Sequence, residues 1–140
     1  MLKIKGEFRI RVIYADTDAM GIVYHANYMK WFEIGRVELM REIGIVYSKL
    51  ETEGYNLPVI EMGCHYFLPA RYDEIVVIET EITTIRRASV RFDYIIRDEK
   101  KERVLAEGFT LHPFTNNEGK IVRTPRYVID KINEIIKGDL

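Results

Sequence analysis

The chain has 140 residues, which is long enough for one domain with a substantial hydrophobic core. Its net charge of −1 argues against general electrostatic binding of nucleic acid. Its single cysteine excludes a disulfide framework and a cysteine-based metal cluster. No apolar run reaches the length of a signal peptide or a membrane span. We therefore expect a single cytoplasmic domain over residues 1–140, with no membrane span and no nucleic-acid partner.

The first predicted elements are a strand and a long helix. Residues 7–14 alternate apolar and charged side chains, which predicts a half-buried strand that ends at Tyr14. Residues 28–43 have helical spacing and are apolar on much of the circumference. Gly35 lies inside this helix and costs about 1 kcal/mol of helix propensity relative to alanine. We expect that a close approach to another backbone explains it.

The second half of the chain is rich in strands. A short helical turn within 45–54 precedes them, and a closing helix begins at Thr124–Pro125 and ends at Gly138. Four consecutive strands favour an α+β fold with an antiparallel sheet, which could curl around the long apolar helix. The predicted strands are Val59–Phe67, Glu74–Ile85, Ala88–Arg97 and Arg103–Phe114.

The loop between the first strand and the long helix carries the residues that indicate a chemistry. It contains Asp18, which stands seven residues before His25 and close to the predicted start of the helix at Asn27, an acceptable N-cap residue. Helix N-termini leave their first N–H groups without partners and carry partial positive charge, so they favour a developing oxyanion. A carboxylate beside such a terminus indicates acyl transfer or hydrolysis.

The loop and helix resemble the 4-hydroxybenzoyl-CoA thioesterase family of hotdog-fold proteins, and most closely its YbgC-like branch of acyl-CoA thioesterases. The pattern is D-x-D-x-x-G-x-V-x-[HYP]-x-N-Y, and the similarity covers roughly residues 5–125. The residues that carry it are Tyr14, Asp16, Thr17, Asp18, Gly21, Val23, Tyr24, His25, Asn27 and Tyr28, then Pro69, Ala70, Asp73–Glu74, Arg86, Arg87, Ala88 and Ser89.

The resemblance implies a hotdog fold, in which a five-stranded antiparallel sheet wraps around the long helix. It also implies a homodimer that extends the two sheets into one, with active sites shared between the subunits, and further assembly into a homotetramer. Dimerisation of this kind would protect an otherwise open sheet edge.

The resemblance also assigns roles to the loop residues. Asp18 matches the catalytic carboxylate, which acts either as a nucleophile on the thioester carbonyl or as a general base on water. The alternative is that Asp18 only caps a turn. The backbone N–H of His25 would face the thioester oxygen, and its side chain would orient Asp18 or water, unless it is an ordinary histidine at a helix start. The Tyr14 hydroxyl would line the same pocket or pack in the core, and Asp16 would shape the loop.

Three residues near a predicted turn are candidates for coenzyme A binding. Arg86 and Arg87, with Ser89 nearby, lie between two strands, and guanidinium groups suit phosphates. The alternative is solvated charge at a turn. Neither a metal nor a redox cofactor is expected.

We therefore expect an acyl-CoA thioesterase, which releases free acid and CoA; a carrier-protein thioester is a second possible substrate. A hotdog hydratase or dehydratase is disfavoured because those enzymes commonly carry D-x-x-x-x-H, whereas Asp18 and His25 are seven residues apart. A non-catalytic acyl-CoA binding module is the alternative from another class, and the retention of Asp18 argues against it.

Overall fold

The structure is a computed structural model that describes residues 4–138. Residues 1–3 and 139–140 of the predicted single domain lie outside this part. Within it, no helix combines the length and the hydrophobicity that crossing a bilayer requires. The elements are β1 (Ile4–Arg11), a 3₁₀ turn (Tyr14–Asp16), α1 (Asn27–Glu42), α2 (Tyr47–Thr52), β2 (Glu61–Tyr66), β3 (Ile75–Ile85), β4 (Ser89–Asp98), β5 (Val104–Pro113) and α3 (Arg126–Gly138).

The five strands form one antiparallel sheet in the order β1-β3-β4-β5-β2. The register places Arg11 opposite Ile75, and Tyr66 opposite Ala106. The C-terminal ends of β1 and β2 therefore lie at the same end of the sheet, together with the turn between β4 and β5. We call this the loop end. The turn between β3 and β4 lies at the opposite end, roughly 35 Å away along the 11 residues of β3.

Helix α1 packs against one face of this sheet, so the predicted α+β hotdog architecture is confirmed. The Phe32 ring stacks on Tyr94 of β4 with a centroid distance of 4.2 Å. Gly35 faces β3, where a Cβ atom would stand 2.9 Å from Ile78 Cγ2 and closer still to the Thr80 hydroxyl. The predicted close approach at Gly35 is therefore present, but it is made to strand side chains rather than to a backbone.

The first strand begins and ends earlier than predicted. It spans Ile4–Arg11 rather than 7–14, and Tyr14 lies in the 3₁₀ turn that follows. The ladder stops because the partner strand begins at Ile75, opposite Arg11. The prediction that Tyr14 belongs to the strand is wrong, because alternation continues beyond the last residue that has a partner.

A series of hydrogen-bonded, buried polar side chains crosses the core beside α1. The His112 side chain is fully buried, with Nδ1 3.0 Å from the Leu57 carbonyl oxygen and Nε2 2.7 Å from the Thr110 hydroxyl. Since a carbonyl can only accept, Nδ1 carries the proton and Nε2 accepts from Thr110. The Thr110 oxygen lies 2.6 Å from the Tyr94 hydroxyl. Burial lowers the pKa of His112 to about 4, and the nearby Arg36 charge acts in the same direction.

This depressed pKa predicts acid sensitivity of the fold. An unfolded histidine titrates near 6.5, so the folded protein binds fewer protons and loses stability as the pH falls from about 6.5 towards 4. Between pH 7.5 and 4.5 we expect wild type to lose about 2–3 kcal/mol more unfolding free energy than His112→Gln, which stays neutral. Urea unfolding at fixed protein concentration measures both losses. Equal losses in the two proteins would contradict a neutral, buried His112.

Candidate active site

The chain between β1 and α1 folds into a loop that is organised around Asp16. Its carboxylate is buried and lies 2.7 Å from Lys30 Nζ. The carbonyl oxygen of Asp16 accepts hydrogen bonds from the Tyr24 backbone N–H at 2.9 Å and from Asn27 Nδ2 at 2.8 Å. Asp16 therefore ties the start of the loop to its end and to the first turns of α1, in agreement with its expected structural role.

Asn27 does not cap the helix, contrary to the prediction from sequence. It is the first residue of α1, the cap position is Ala26, and no side chain bonds to the cap. The Asn27 side chain donates to the loop instead. A cap would need the side-chain oxygen to accept from a helix N–H, whereas Asn27 is already inside the helix and uses its Nδ2 as a donor.

Asp18 stands at the start of a tight turn. Its backbone N–H donates to the Ile22 carbonyl at 2.9 Å, and its Oδ1 accepts from the Met20 N–H at 2.8 Å. Gly21 completes the turn with φ of +77°, a conformation that favours glycine. Among the hydrogen bonds of residues 4–138, none uses the second carboxylate oxygen, Oδ2. Asp18 thus caps a turn with one oxygen, and the other has no hydrogen-bond donor within the described residues.

The peptide groups that precede α1 supply free donors. The Tyr24 carbonyl accepts from the Asn27 N–H at 2.9 Å, and the His25 carbonyl accepts from the Tyr66 hydroxyl at 2.8 Å. Within the described part of the chain, the backbone N–H groups of His25 and Ala26 have no acceptor. Two unpaired amides at a helix N-terminus form a suitable site for an anionic oxygen.

Asp18 and His25 line one groove at the loop end of the sheet. The groove has a volume of about 340 Å³ and runs between the loop and the segment that follows β2. Its polar groups come from Asp18, His25 and Tyr66, while the rest of the wall is apolar. The lining residues are Asp18, Met20, Ile22, Val23, His25, Tyr28, Tyr66, Phe67, Leu68 and Pro69.

A second depression, of about 360 Å³, lies on the outer face of the sheet. It is rimmed by charged side chains, and two of them, Glu7 and Glu79, already form ion pairs with Lys101. It lies on the face away from α1 and its N-terminus. The smaller groove beside α1 is therefore the better candidate for chemistry.

Tyr14 does not reach this groove within one protomer. Its side chain is 78% exposed, and its ring packs edge-on against Tyr72 with a centroid distance of 5.9 Å. Because β1 ends at Arg11, the 3₁₀ turn carries the Tyr14 side chain away from the groove wall. A role for its hydroxyl stays a prediction.

Arg86, Arg87 and Ser89 lie at the other end of the sheet. Arg86 and Arg87 are exposed in the turn between β3 and β4, and the Arg86 N–H donates to the Ser89 carbonyl at 2.8 Å. The Thr124 hydroxyl and N–H bind the carbonyls of Arg86 and Arg87, which fixes the turn. One protomer therefore separates these three residues from its own Asp18 by most of the length of β3.

Two contacts at the site were not predicted from sequence. Lys30 pairs with Asp16 across 14 residues, and Tyr66 bonds to the His25 carbonyl across 41 residues. From sequence, Tyr66 was identifiable as one of several aromatic residues that could line an acyl pocket, but its hydrogen bond was not. Its partner depends on where β2 lies relative to α1, which no local pattern specifies.

Comparison with known proteins identifies relatives along most of the chain. Residues 20–105 match the family model described as "Thioesterase superfamily". An acyl-CoA thioester hydrolase, YbgC, of Escherichia coli O6:H1 is 41% identical over 83 residues, which are 59% of this chain and 62% of that protein. The region that matches the family model begins just after Asp18, so the match does not include this carboxylate. Any role for Asp18 is therefore argued from the geometry of the groove.

Solved structures of similar proteins agree with the fold. A hypothetical protein from Thermus thermophilus has a TM-score of 0.85 at 33% identity, covering 91% of this chain and 96% of that one. A DHNA-CoA thioesterase from Staphylococcus aureus has a TM-score of 0.87 at 28% identity, covering 96% of this chain and 91% of that one.

Proposed function

The chain belongs to the thioesterase superfamily, and from this premise we propose that it is an acyl-CoA thioesterase that hydrolyses the thioester to free acid and CoA. One observation carries the proposal. The Asp18 carboxylate, with one oxygen free, and His25, whose backbone N–H is unpaired within residues 4–138, border the same mostly apolar groove. Relatives named as thioesterases of CoA esters support the choice of substrate class.

Two routes use these groups. In the first, Asp18 takes a proton from water as the oxygen of that water attacks the thioester carbonyl carbon. In the second, Asp18 itself attacks and forms a mixed anhydride, which water then hydrolyses. In both, the carbonyl oxygen becomes negative and is stabilised by the free N–H of His25, and the carbon–sulfur bond then breaks to release CoA. Only the second route acylates Asp18, which rapid-quench mass spectrometry detects.

His25 completes the proposed machinery through its side chain. The imidazole lies at the groove, with its ring 4.5 Å from the Tyr24 ring and 6.4 Å from the Tyr66 ring. From this position it orients Asp18 or the attacking water. Tyr14 would contribute its hydroxyl only if a partner subunit reshaped the groove, because it is directed away from the groove within one protomer.

The exposed edge strand β2 supports a homodimer. The two edges of the sheet differ, because β1 presents charged residues such as Glu7 and Arg9, which disfavour strand pairing. The β2 edge and its flanks instead expose a row of large apolar side chains. These are Val59, Ile60, Met62, Tyr66, Phe67 and Leu68. We propose that β2 pairs with β2 of a second copy, so that the two sheets become one.

Such a pairing would make each active site from two subunits. A two-fold axis beside β2 runs the partner strand antiparallel, so the partner's turn between β3 and β4 comes to the loop end of the first protomer's sheet. The distant Arg86–Arg87 turn of one protomer would thus face the Asp18 groove of the other. We propose that these guanidinium groups and Ser89 bind the phosphates of CoA.

Replacing Arg86 and Arg87 together with alanine should raise KM for an acyl-CoA by about 10- to 100-fold and leave kcat nearly unchanged, because two charge-assisted contacts are lost. Steady-state thiol release measures both constants. The matched control is the acyl-pantetheine substrate, which lacks the nucleotide phosphates, so its kcat/KM should be the same for both proteins. An equal loss with both substrates would contradict the assignment.

Hybrid dimers test whether the site is shared. Dimers re-formed from equal amounts of Asp18→Asn and Arg86→Ala/Arg87→Ala subunits should recover about one quarter of the wild-type kcat/KM, because half the dimers are mixed and each mixed dimer has one intact site. If both groups came from one protomer, mixing would restore nothing.

The activity itself is tested by thiol release across short, long and aromatic acyl-CoAs. Turnover of at least one of them, without added metal or redox cofactor, supports the proposal, and carrier-protein thioesters in the same assay test the second substrate class. Hydration of an enoyl-CoA, or tight acyl-CoA binding without thiol release, would overturn it in favour of a hydratase or a binding module. Cytoplasmic location and assembly of dimers into a tetramer remain part of the proposal; fractionation and light scattering test them.

A further inference from the structure

Tyr66 connects the edge strand of the sheet to the peptide that precedes α1. Its hydroxyl donates to the His25 carbonyl oxygen at 2.8 Å. Its ring meets the buried Tyr28 ring edge-on, with a centroid distance of 4.9 Å and an interplanar angle of 88°. Because Tyr28 belongs to α1, this contact restricts the Tyr66 ring and places its hydroxyl. Partial desolvation and the neighbouring Cys64 raise the pKa of the Tyr66 hydroxyl, so it stays a donor at neutral pH.

The His25 carbonyl is held mainly by this side chain. The helical donor available to it, the Tyr28 N–H, is 3.3 Å away, which is long for a hydrogen bond. The C=O and N–H groups of a trans peptide point in opposite directions. Holding the His25 carbonyl towards Tyr66 therefore fixes ψ of His25, a residue that lines the groove, and directs the N–H of the same peptide, that of Ala26, away from Tyr66.

We propose that Tyr66 is a positioning residue for the oxyanion site: its hydroxyl anchors the carbonyl of His25 and so holds in place the residue whose own backbone N–H would bind the thioester oxygen. An oxyanion donor contributes most when it is held in position before the reaction, and anchoring the His25 carbonyl restricts the backbone that carries this donor. Tyr66 acts through this peptide and not on the reacting atoms. The inference rests on the proposed thioesterase activity.

The Tyr66→Phe variant removes only the hydroxyl. We expect kcat to fall by about 3- to 10-fold with KM within about twofold of wild type, because the oxygen charge develops in the transition state. Tyr72→Phe is the matched control. Tyr72 is 57% exposed and its hydroxyl has no hydrogen bond within residues 4–138, so its kinetics should equal those of wild type.

A spectroscopic measurement separates positioning from a structural effect. In the Asp18→Asn background an acyl-CoA labelled with ¹³C at the carbonyl stays intact, and its infrared C=O band should shift to lower frequency on binding. Adding Tyr66→Phe should reduce that shift. Should Tyr66→Phe fail to fold, 3-fluorotyrosine at position 66 keeps the shape and strengthens the donor to the His25 carbonyl, so the shift should be at least as large as with tyrosine, and a smaller shift would overturn the inference.

The outcomes are distinguishable from failure of the proposed function. If Tyr66→Phe leaves both the carbonyl band and kcat unchanged, the inference is overturned. The thioesterase proposal still stands in that case, provided that wild type turns over an acyl-CoA and Asp18→Asn does not. A change confined to KM overturns it too, because it would mean that the hydroxyl contacts substrate directly. If wild type releases no thiol from any acyl-CoA, both proposals fall.

Discussion

Asp18→Asn should lower the rate of thioester hydrolysis by about 10²- to 10⁴-fold without loosening the loop. Asp18 Oδ1 accepts the Met20 N–H at 2.8 Å, and an asparagine side chain offers a carbonyl oxygen that can keep this bond. The substitution therefore removes the negative charge and the basic second oxygen but preserves the turn. Thiol release measures the rate, and calorimetric titration of the same acyl-CoA should show that binding is retained.

The neighbouring carboxylate provides the matched control for this experiment. Asp16 is buried and paired with Lys30 at 2.7 Å, and its role is to hold the loop against α1. Asp16→Asn should lower the thermal midpoint, because a charged contact to a buried group is lost, whereas Asp18→Asn should leave the midpoint near that of wild type. If Asp18→Asn kept more than about one tenth of wild-type turnover, general-base and nucleophilic roles for Asp18 would both be wrong.

Gly35→Ala should destabilise the protein by about 2 kcal/mol or more, even though alanine is the better helix former by about 1 kcal/mol. A Cβ atom at this position would stand 2.9 Å from Ile78 Cγ2 and would overlap the Thr80 hydroxyl oxygen. Both neighbours are side chains of β3, an interior strand paired with β1 and β4, so the strand backbone cannot retreat without disturbing these ladders. Urea unfolding at fixed protein concentration measures the loss.

A second substitution in β3 tests the cause. Thr80 Oγ1 is buried and has no hydrogen-bond partner in the described part of the chain, so Thr80→Ala removes the clashing atom without breaking a bond. In the double variant part of the stability should return, and the double-mutant cycle should show a coupling energy above about 0.5 kcal/mol. Strict additivity of the two changes would show that Gly35 is required for a reason other than contact with Thr80.

Much of the architecture was predictable because it depends on local periodicity. Alternation of apolar and polar residues marked the four later strands, and helical spacing marked α1 and α3 close to their observed bounds. The need for a small residue at Gly35 was also visible, since glycine inside an apolar helix is costly. Its partner Thr80 was not, because it lies 45 positions later on a strand whose register only pairing determines.

The candidate site was predictable only in part, for the same reason. Asp18 and His25 lie within one short loop, so the sequence alone placed them together, and the structure has them on one groove. The positions of Tyr14 and Arg86 relative to that groove could not be predicted from the sequence. The first depends on where β1 loses its partner, and the second on which end of the sheet each turn occupies.

By itself, the sequence determined the kinds and order of the elements, the α+β class and the proximity of Asp18 and His25 in one loop, because these follow from side-chain spacing over a few residues. Only the tertiary structure decided that the Tyr66 hydroxyl holds the His25 carbonyl, that Asn27 binds the loop and not the helix end, and that Arg86 lies far from Asp18 in one protomer. Each of these depends on strand register and helix docking, which are set by contacts between residues distant in sequence.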